Sequence, residues 1–236
     1  MGILYGIGVG PGDAESLTAK AIKALQVSTV VFVPVSKAER QSIALQAAEK
    51  YLPENVRVVE LLFPMTRDGR LLAQHWQKAA KQVAQTLQKH QIASFLTIGD
   101  PLLYSTFGYL MRKLKELDPT VKIEIIPGIS AINAAASLIQ LPLVEKDERI
   151  AIIPAPVAKD EFAALARYFD TVVFLKVSAA YDEILDLIIE NGFDRQTYLV
   201  SRVGGEEEFW SNDPFAYRGQ AVDYLSLIIA KRSREK

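Results

Sequence analysis

The sequence predicts an α/β protein of two domains, with a mostly parallel sheet in the first and a mixed sheet in the second. Three observations carry this. Short apolar runs rich in β-branched residues alternate with amphipathic stretches at helical spacing, the pattern of strands joined by helices that cover a parallel sheet. A proline-bearing, charged stretch at 142–149 breaks the alternation and divides the chain into 1–143 and 144–236. The last two strand-like runs, near 208–210 and at 226–231, read as antiparallel.

In order, residues 3–8 form a strand and 14–26 a helix with Leu17, Ala21, Ala24 and Leu25 on one face. A β-branched strand at 29–33 should end at Pro34, and a helix at 41–52 is closed by Pro53. A strand at 57–61 leads to a long helix at 71–90, whose Leu72, Trp76, Ala80, Val83 and Leu87 recur at helical spacing. A strand at 94–98, a helix at 104–117, a strand at 122–126 and a small-residue helix at 130–138 complete the first domain. The second holds a strand at 150–153, a helix at 159–168 and a strand at 171–176. A helix at 181–190, stopped by Asn191-Gly192, then precedes a strand at 197–201 and the late pair.

With 236 residues, half of them hydrophobic, the chain can bury two compact cores. A formal charge of -1 argues against nucleic acid as the main partner. The chain has no cysteine, which excludes disulfides, thiolate metal sites and a cysteine nucleophile. His75 and His90, on one helix and its end, are too far apart for a local metal pair, and no protein metal site is expected. There is no secretory pattern, and apolar runs such as Val30-Val31-Phe32-Val33 are strand length, far short of a ~20-residue membrane span. A soluble, cytoplasmic protein without a membrane partner is expected.

The chemistry-bearing motifs are glycine turns. Gly6-Ile7-Gly8-Val9-Gly10-Pro11-Gly12-Asp13 lies between a strand and a helix, where glycine lets backbone approach a ligand. It is not a dinucleotide fingerprint, because the third glycine position is Pro11 counted from Gly6 and Asp13 counted from Gly8. No Lys-Ser/Thr pair follows, which excludes a P-loop. Gly99-Asp100-Pro101 follows the strand at 94–98, with Asp100 either facing a ligand or capping the helix expected from Tyr104. Pro127-Gly128-Ile129-Ser130-Ala131 again joins a strand to a helix, with Ser130 as its alternative cap. If the three strands are neighbours, the turns line one crevice beyond their carboxyl ends, where open α/β sheets bind ligands. No Ser/His/Asp constellation can be assembled, which suits a reactive cofactor that the protein orients.

In order and spacing, these motifs, with Leu17-Thr18 after the first, resemble the tetrapyrrole (corrin/porphyrin) methyltransferase family over nearly the whole chain. Val33-Pro34-Val35-Ser36-Lys37 and the run from Gly99 to Phe107 are similar to the branch that methylates carbon 20 of precorrin-2, or of cobalt-factor II, in cobalamin biosynthesis. The resemblance implies a homodimer of two α/β domains with the active site in the cleft between them, and S-adenosylmethionine as methyl donor. The donor contacts it implies are Pro11, Ile98, Gly99, Asp100, Leu103, Ser130, Ala131, Lys176 and Gly204. The glycines of the first motif are expected to shape the turn and leave room for the macrocycle. Lys176 departs from the family's usual apolar residue, and its side chain is expected to point away from the sulfonium. Any cobalt would arrive inside the substrate.

A sulfonium methyl is already electrophilic, so a general base is not required before transfer. Tyr104, Ser105 and Thr106 are candidates to orient the substrate or assist later proton loss. The substrate's many carboxylates call for cations, and Lys37, Arg40, Arg67 and Arg70 lie in expected loops or helix starts. Arg67 and Arg70 are favoured because a guanidinium grips carboxylate bidentately. The alternatives are another acceptor for the same fold and donor (a different precorrin carbon, diphthamide precursor or an RNA ribose) and a non-catalytic donor- or tetrapyrrole-binding module.

Overall fold

The structure is a computed structural model that describes residues 2–36, 42–66, 68–89 and 91–232. Its contacts divide the chain into two compact units, Met1–Ser130 and Ala131–Lys236.

In the first unit, β1 (Ile3–Gly8), β2 (Val30–Val35), β3 (Arg57–Leu62), β4 (Ile92–Thr97) and β5 (Lys122–Ile126) pair in the order β3-β2-β4-β1-β5. Every pair is parallel. Parallel neighbours need crossover connections, supplied by α1 (Ala19–Gln26), α2 (Ile43–Ala48), α3 (Gly69–Gln88) and α4 (Phe107–Leu117). Alternate strand residues face opposite layers. Leu4, Phe32 and Phe95 pack with Val83 of α3 and with Phe107 and Leu110 of α4. Ile7, Val31 and Leu96 pack with Ala21 and Leu25 of α1 and with Ala44 and Ala47 of α2. Burial on both faces explains why β2 is a continuous apolar run rather than an alternating one.

Several expected boundaries move, each for a local reason. The helix expected at 14–26 splits. Asp13 caps a 3-10 turn at Ala14–Ser16, and Thr18 then caps α1, its Oγ1 accepting from the amide of Ala21 at 3.2 Å. The strand expected to end at Pro34 runs on to Val35. Pairing of β2 with β4 stops at Phe32, so among the described residues Pro34 has only β3 beside it, and an edge tolerates proline. The helix expected at 41–52 ends at Ala48 and continues as a 3-10 turn, Glu49–Tyr51; Gln41 lies outside the described residues. Asp68 caps α3, Oδ1 accepting from the amides of Arg70 and Leu71. The helix expected from Tyr104 begins at Phe107.

The second unit opens with α5 (Ala131–Leu138), followed by β6 (Ile150–Pro154), α6 (Lys159–Ala166), β7 (Thr171–Leu175) and α7 (Tyr181–Glu190). Strands β8 (Thr197–Ser201), β9 (Phe209–Ser211) and β10 (Ser226–Lys231) complete a mixed sheet of order β6-β7-β10-β8-β9. β6 is parallel to β7, and β10 is antiparallel to both β7 and β8. The two late strands are antiparallel to β8, which lies between them, rather than to each other. Phe162 of α6 and Ile184 and Ile188 of α7 cover one face, against Phe174 and Ile228. Ile132 and Ala135 of α5 cover the other, against Val173, Val200 and Ile229.

That packing starts the second unit at Ala131, ahead of the division expected after residue 143. The stretch expected to be a boundary is instead tied to the second sheet. Lys231 Nζ donates to the carbonyl of Pro142 at 2.9 Å and pairs with Glu148 at 2.8 Å, with both side chains nearly buried. Among the described residues, no helix is long and apolar enough to cross a membrane.

Candidate functional site

In the first sheet β4, β1 and β5 are consecutive neighbours, so the three glycine turns leave one edge side by side. Their backbones touch. The amide of Gly99 donates to the carbonyl of Gly10 at 2.7 Å, and the two residues form an isolated bridge. Both hold positive φ, 80° at Gly10 and 70° at Gly99, a region that disfavours side chains. A Cβ placed on Gly8 would lie 2.6 Å from the nitrogen of Gly128. One on Gly128 would lie 2.7 Å from the carbonyl carbon of Gly8 and would also collide with the carbonyl of Gly99. One on Gly6 would strike the ring of Phe107. The room beside Gly6 and Gly8 is therefore filled by protein atoms, so these glycines serve turn packing and not clearance for a macrocycle.

The turn after β4 is held by its own side chains. Asp100 Oδ1 accepts from the amide of Leu102 at 2.9 Å, and Oδ2 accepts from the amide of Gly128 at 3.2 Å. Asp100 is thus not the cap of α4. Ser105 takes that role, its Oγ accepting from the amide of Phe107 at 3.1 Å and sharing a hydrogen bond with the buried Thr97 Oγ1 at 3.0 Å. Thr106 occupies the N-cap position without a side-chain cap bond. Tyr104 lies in the left-handed region at φ 51° with its side chain half exposed. For a bulky residue this conformation costs ~1–2 kcal/mol, and it persists because the bonds around it fix the turn.

Leu102, Leu103 and Ile129 stand exposed on the same turns. Leu102 and Ile129 were not singled out in the sequence, although an apolar pair directly after Gly-Asp-Pro is out of place in a solvated loop. Thr97 carried no signal at all, since a buried strand threonine looks like any other core position.

Of the expected donor contacts, Pro11, Ile98, Gly99, Asp100, Leu103 and Ser130 belong to the first unit, on the segments that follow β1, β4 and β5. Ala131, Lys176 and Gly204 belong to the second. Lys176 directly follows β7, is exposed, and holds φ 60° before a short 3-10 turn at Val177–Ala179. Gly204, at φ 77°, follows β8 and donates its amide to Glu208 Oε2 at 2.7 Å. Because β7 and β8 are both antiparallel to β10, they run the same way, and these two turns leave one edge of the second sheet. Among the cationic candidates, Arg70 is exposed in the first turn of α3, and Lys37, Arg40 and Arg67 lie outside the described residues. Among the described residues there is no group of three or more His, Cys, Asp or Glu that could hold a metal ion.

The model of the Tetrapyrrole (Corrin/Porphyrin) Methylases matches residues 3–212. A probable cobalt-precorrin-2 C(20)-methyltransferase of Methanocaldococcus jannaschii is 38% identical, over 97% of this chain and 96% of its own length. A cobalt-precorrin-2 C(20)-methyltransferase of Salmonella typhimurium is 25% identical, over 99% of this chain and 98% of its own. Among solved structures, a cobalt precorrin-4 methyltransferase superposes with a TM-score of 0.74 at 22% identity, covering 97% of this chain and 94% of that one. The uroporphyrin-III C-methyltransferase of Thermus thermophilus in complex with S-adenosylhomocysteine gives a TM-score of 0.69 at 22% identity, covering 98% of this chain and 97% of that one.

Proposed function

The chain belongs to the tetrapyrrole (corrin/porphyrin) methylase family, and within it we propose that this protein transfers a methyl group from S-adenosylmethionine to carbon 20 of precorrin-2 or of cobalt-factor II, in cobalamin biosynthesis. The convergence of three interlocked glycine turns on one edge of a parallel sheet carries the donor half of this reading, since such sheets bind ligands beyond the carboxyl ends of their strands. The names of the two C(20)-methyltransferases that match almost end to end support the acceptor half.

The chemistry asks little of acid or base. Carbon 20 attacks the methyl carbon as the bond to sulfur breaks. The electron pair goes to sulfur, which leaves as neutral S-adenosylhomocysteine. The proton on carbon 20 then departs and conjugation is restored. Alignment of carbon, methyl and sulfur is the protein's task, and orientation of this kind supplies up to ~7–11 kcal/mol. In this reading the donor contacts are Pro11, Ile98, Gly99, Asp100, Leu103, Ser130, Ala131, Lys176 and Gly204. Lys176 contributes backbone. Tyr104 and Thr106 face the acceptor, Ser105 holds their turn, and Lys37, Arg40, Arg67 and Arg70 meet the substrate's carboxylates. A homodimer and a cytoplasmic location complete the proposal; sedimentation of the purified protein tests the first.

The reaction is tested by offering precorrin-2 and cobalt-factor II separately with a 13C-methyl donor and reading the product by NMR. Label on carbon 20 of either macrocycle is expected. Label on another carbon, or on neither macrocycle, overturns the assignment.

A further inference from the structure

The turn after β5 has a bonding requirement that the glycines alone do not meet. Pairing of β1 with β5 ends at Ile7 and Ile126, so Gly128 lies beyond the last pair of the ladder. It rests against the backbones of Gly8 and Gly99, which leaves no room for a side chain. Its amide points at Oδ2 of Asp100, while Oδ1 of the same carboxylate holds Leu102 in the neighbouring turn.

We propose that Asp100 is a positioning residue: its carboxylate ties the turn after β4 to the turn after β5 and so sets the spacing of the backbone that receives the methyl donor. This rests on the reading that the donor binds at this edge. The carboxylate is the suitable group because it offers two acceptor atoms and no donor, and both partners are N–H groups. A carboxamide of the same shape offers one acceptor and one donor. In Asp100→Asn the amide NH2 must therefore face one of the two backbone N–H groups. The shorter bond to Leu102, two residues along the chain, is the one retained, because it is a local Asx turn. The longer bond to Gly128, 28 residues away, is the one lost.

The test compares wild type and Asp100→Asn in three measurements: amide hydrogen exchange at Gly128, affinity for S-adenosylhomocysteine, and steady-state kinetics in the donor. In wild type the Gly128 amide is expected to be protected. In the variant it should exchange at least about tenfold faster, with donor-product affinity reduced about tenfold, as loss of one charge-assisted hydrogen bond implies. KM for the donor should rise by a similar factor. A purely structural role would lower the amount of folded protein and leave KM unchanged. An unprotected Gly128 amide in wild type overturns the proposal even if the variant does not fold. So does a folded variant with wild-type exchange, or with wild-type affinity. If wild type itself binds no S-adenosylhomocysteine, the donor reading fails, and the Gly128 exchange comparison still decides whether the carboxylate ties the turns.

Discussion

At the ends of β1, β4 and β5 the chain turns through glycines whose missing side chains are replaced by neighbouring atoms. At the ends of β7 and β8 it turns through Lys176 and Arg202, which hold left-handed φ of 60° and 50° with their side chains attached. Both sets of turns need unusual backbone, but for different reasons. At Gly8 and Gly128 in the first unit the limit is contact: three backbones meet at the spot where a Cβ would sit, and no rotamer relieves that. In the second the limit is conformation, an energy of ~1–2 kcal/mol for each non-glycine residue, offset by the fold around it. Arg202 even uses its side chain, which pairs with Glu207 and Asp223 across the turn. Substitutions should therefore be severe in the first set and mild in the second.

The largest effect is expected at Phe107, whose fully buried ring fills the space beside Gly6. Phe107→Ala should cost about 3–5 kcal/mol in denaturant unfolding, and a cost under about 1 kcal/mol would mean the ring is not the partner of that glycine. Gly128→Ala comes next, at about 2–3 kcal/mol, because the new methyl group meets backbone rather than a movable side chain. Full stability in that variant would show that the three turns are not in contact.

The second unit should respond less. Tyr181, at the start of α7, donates its hydroxyl to the carbonyl of Pro214 at 2.8 Å, and burial holds its phenol well above the ordinary tyrosine range. Tyr181→Phe should lose about 1 kcal/mol near neutral pH. Because the folded-state value is raised, the unfolded chain ionises first. Wild type should then lose stability as pH rises above about 10, a decline that Tyr181→Phe should show less of. Identical profiles for the two proteins would contradict the buried bond. Lys176→Gly should change stability by less than about 1 kcal/mol, since relief of the left-handed strain is set against the entropy of a new glycine. A loss above about 2 kcal/mol would show that the Lys176 side chain, and not only its backbone, holds the turn.

Most of the fold was legible because the strands are buried on one or both faces and the helices are amphipathic, so each period is written plainly. Boundaries failed where a cap or an edge decided them. Thr18 restarted a helix that the apolar face alone ran through. Pro34 does not stop β2, because it lies where β2 has lost its β4 neighbour. The apolar positions of α5 do not say which sheet they cover, and in the structure they pack on the second. At the candidate site, the adjacency of the three turns followed from the sequence once the strands were placed. The bonds of Asp100 to two turns, and of Ser105 to Thr97, did not, since each joins a residue to backbone or to a hydroxyl that pattern cannot foresee.

The most direct measurement of where the donor sits is amide hydrogen exchange of the wild-type protein with and without saturating S-adenosylhomocysteine. Exchange should slow at residues 10–12, 98–104 and 128–130, the segments of the three turns, and stay unchanged at the opposite ends of β1, β4 and β5. Binding without protection in these segments, or protection confined to the opposite edge, would contradict the assignment of this edge as the methyl-donor site.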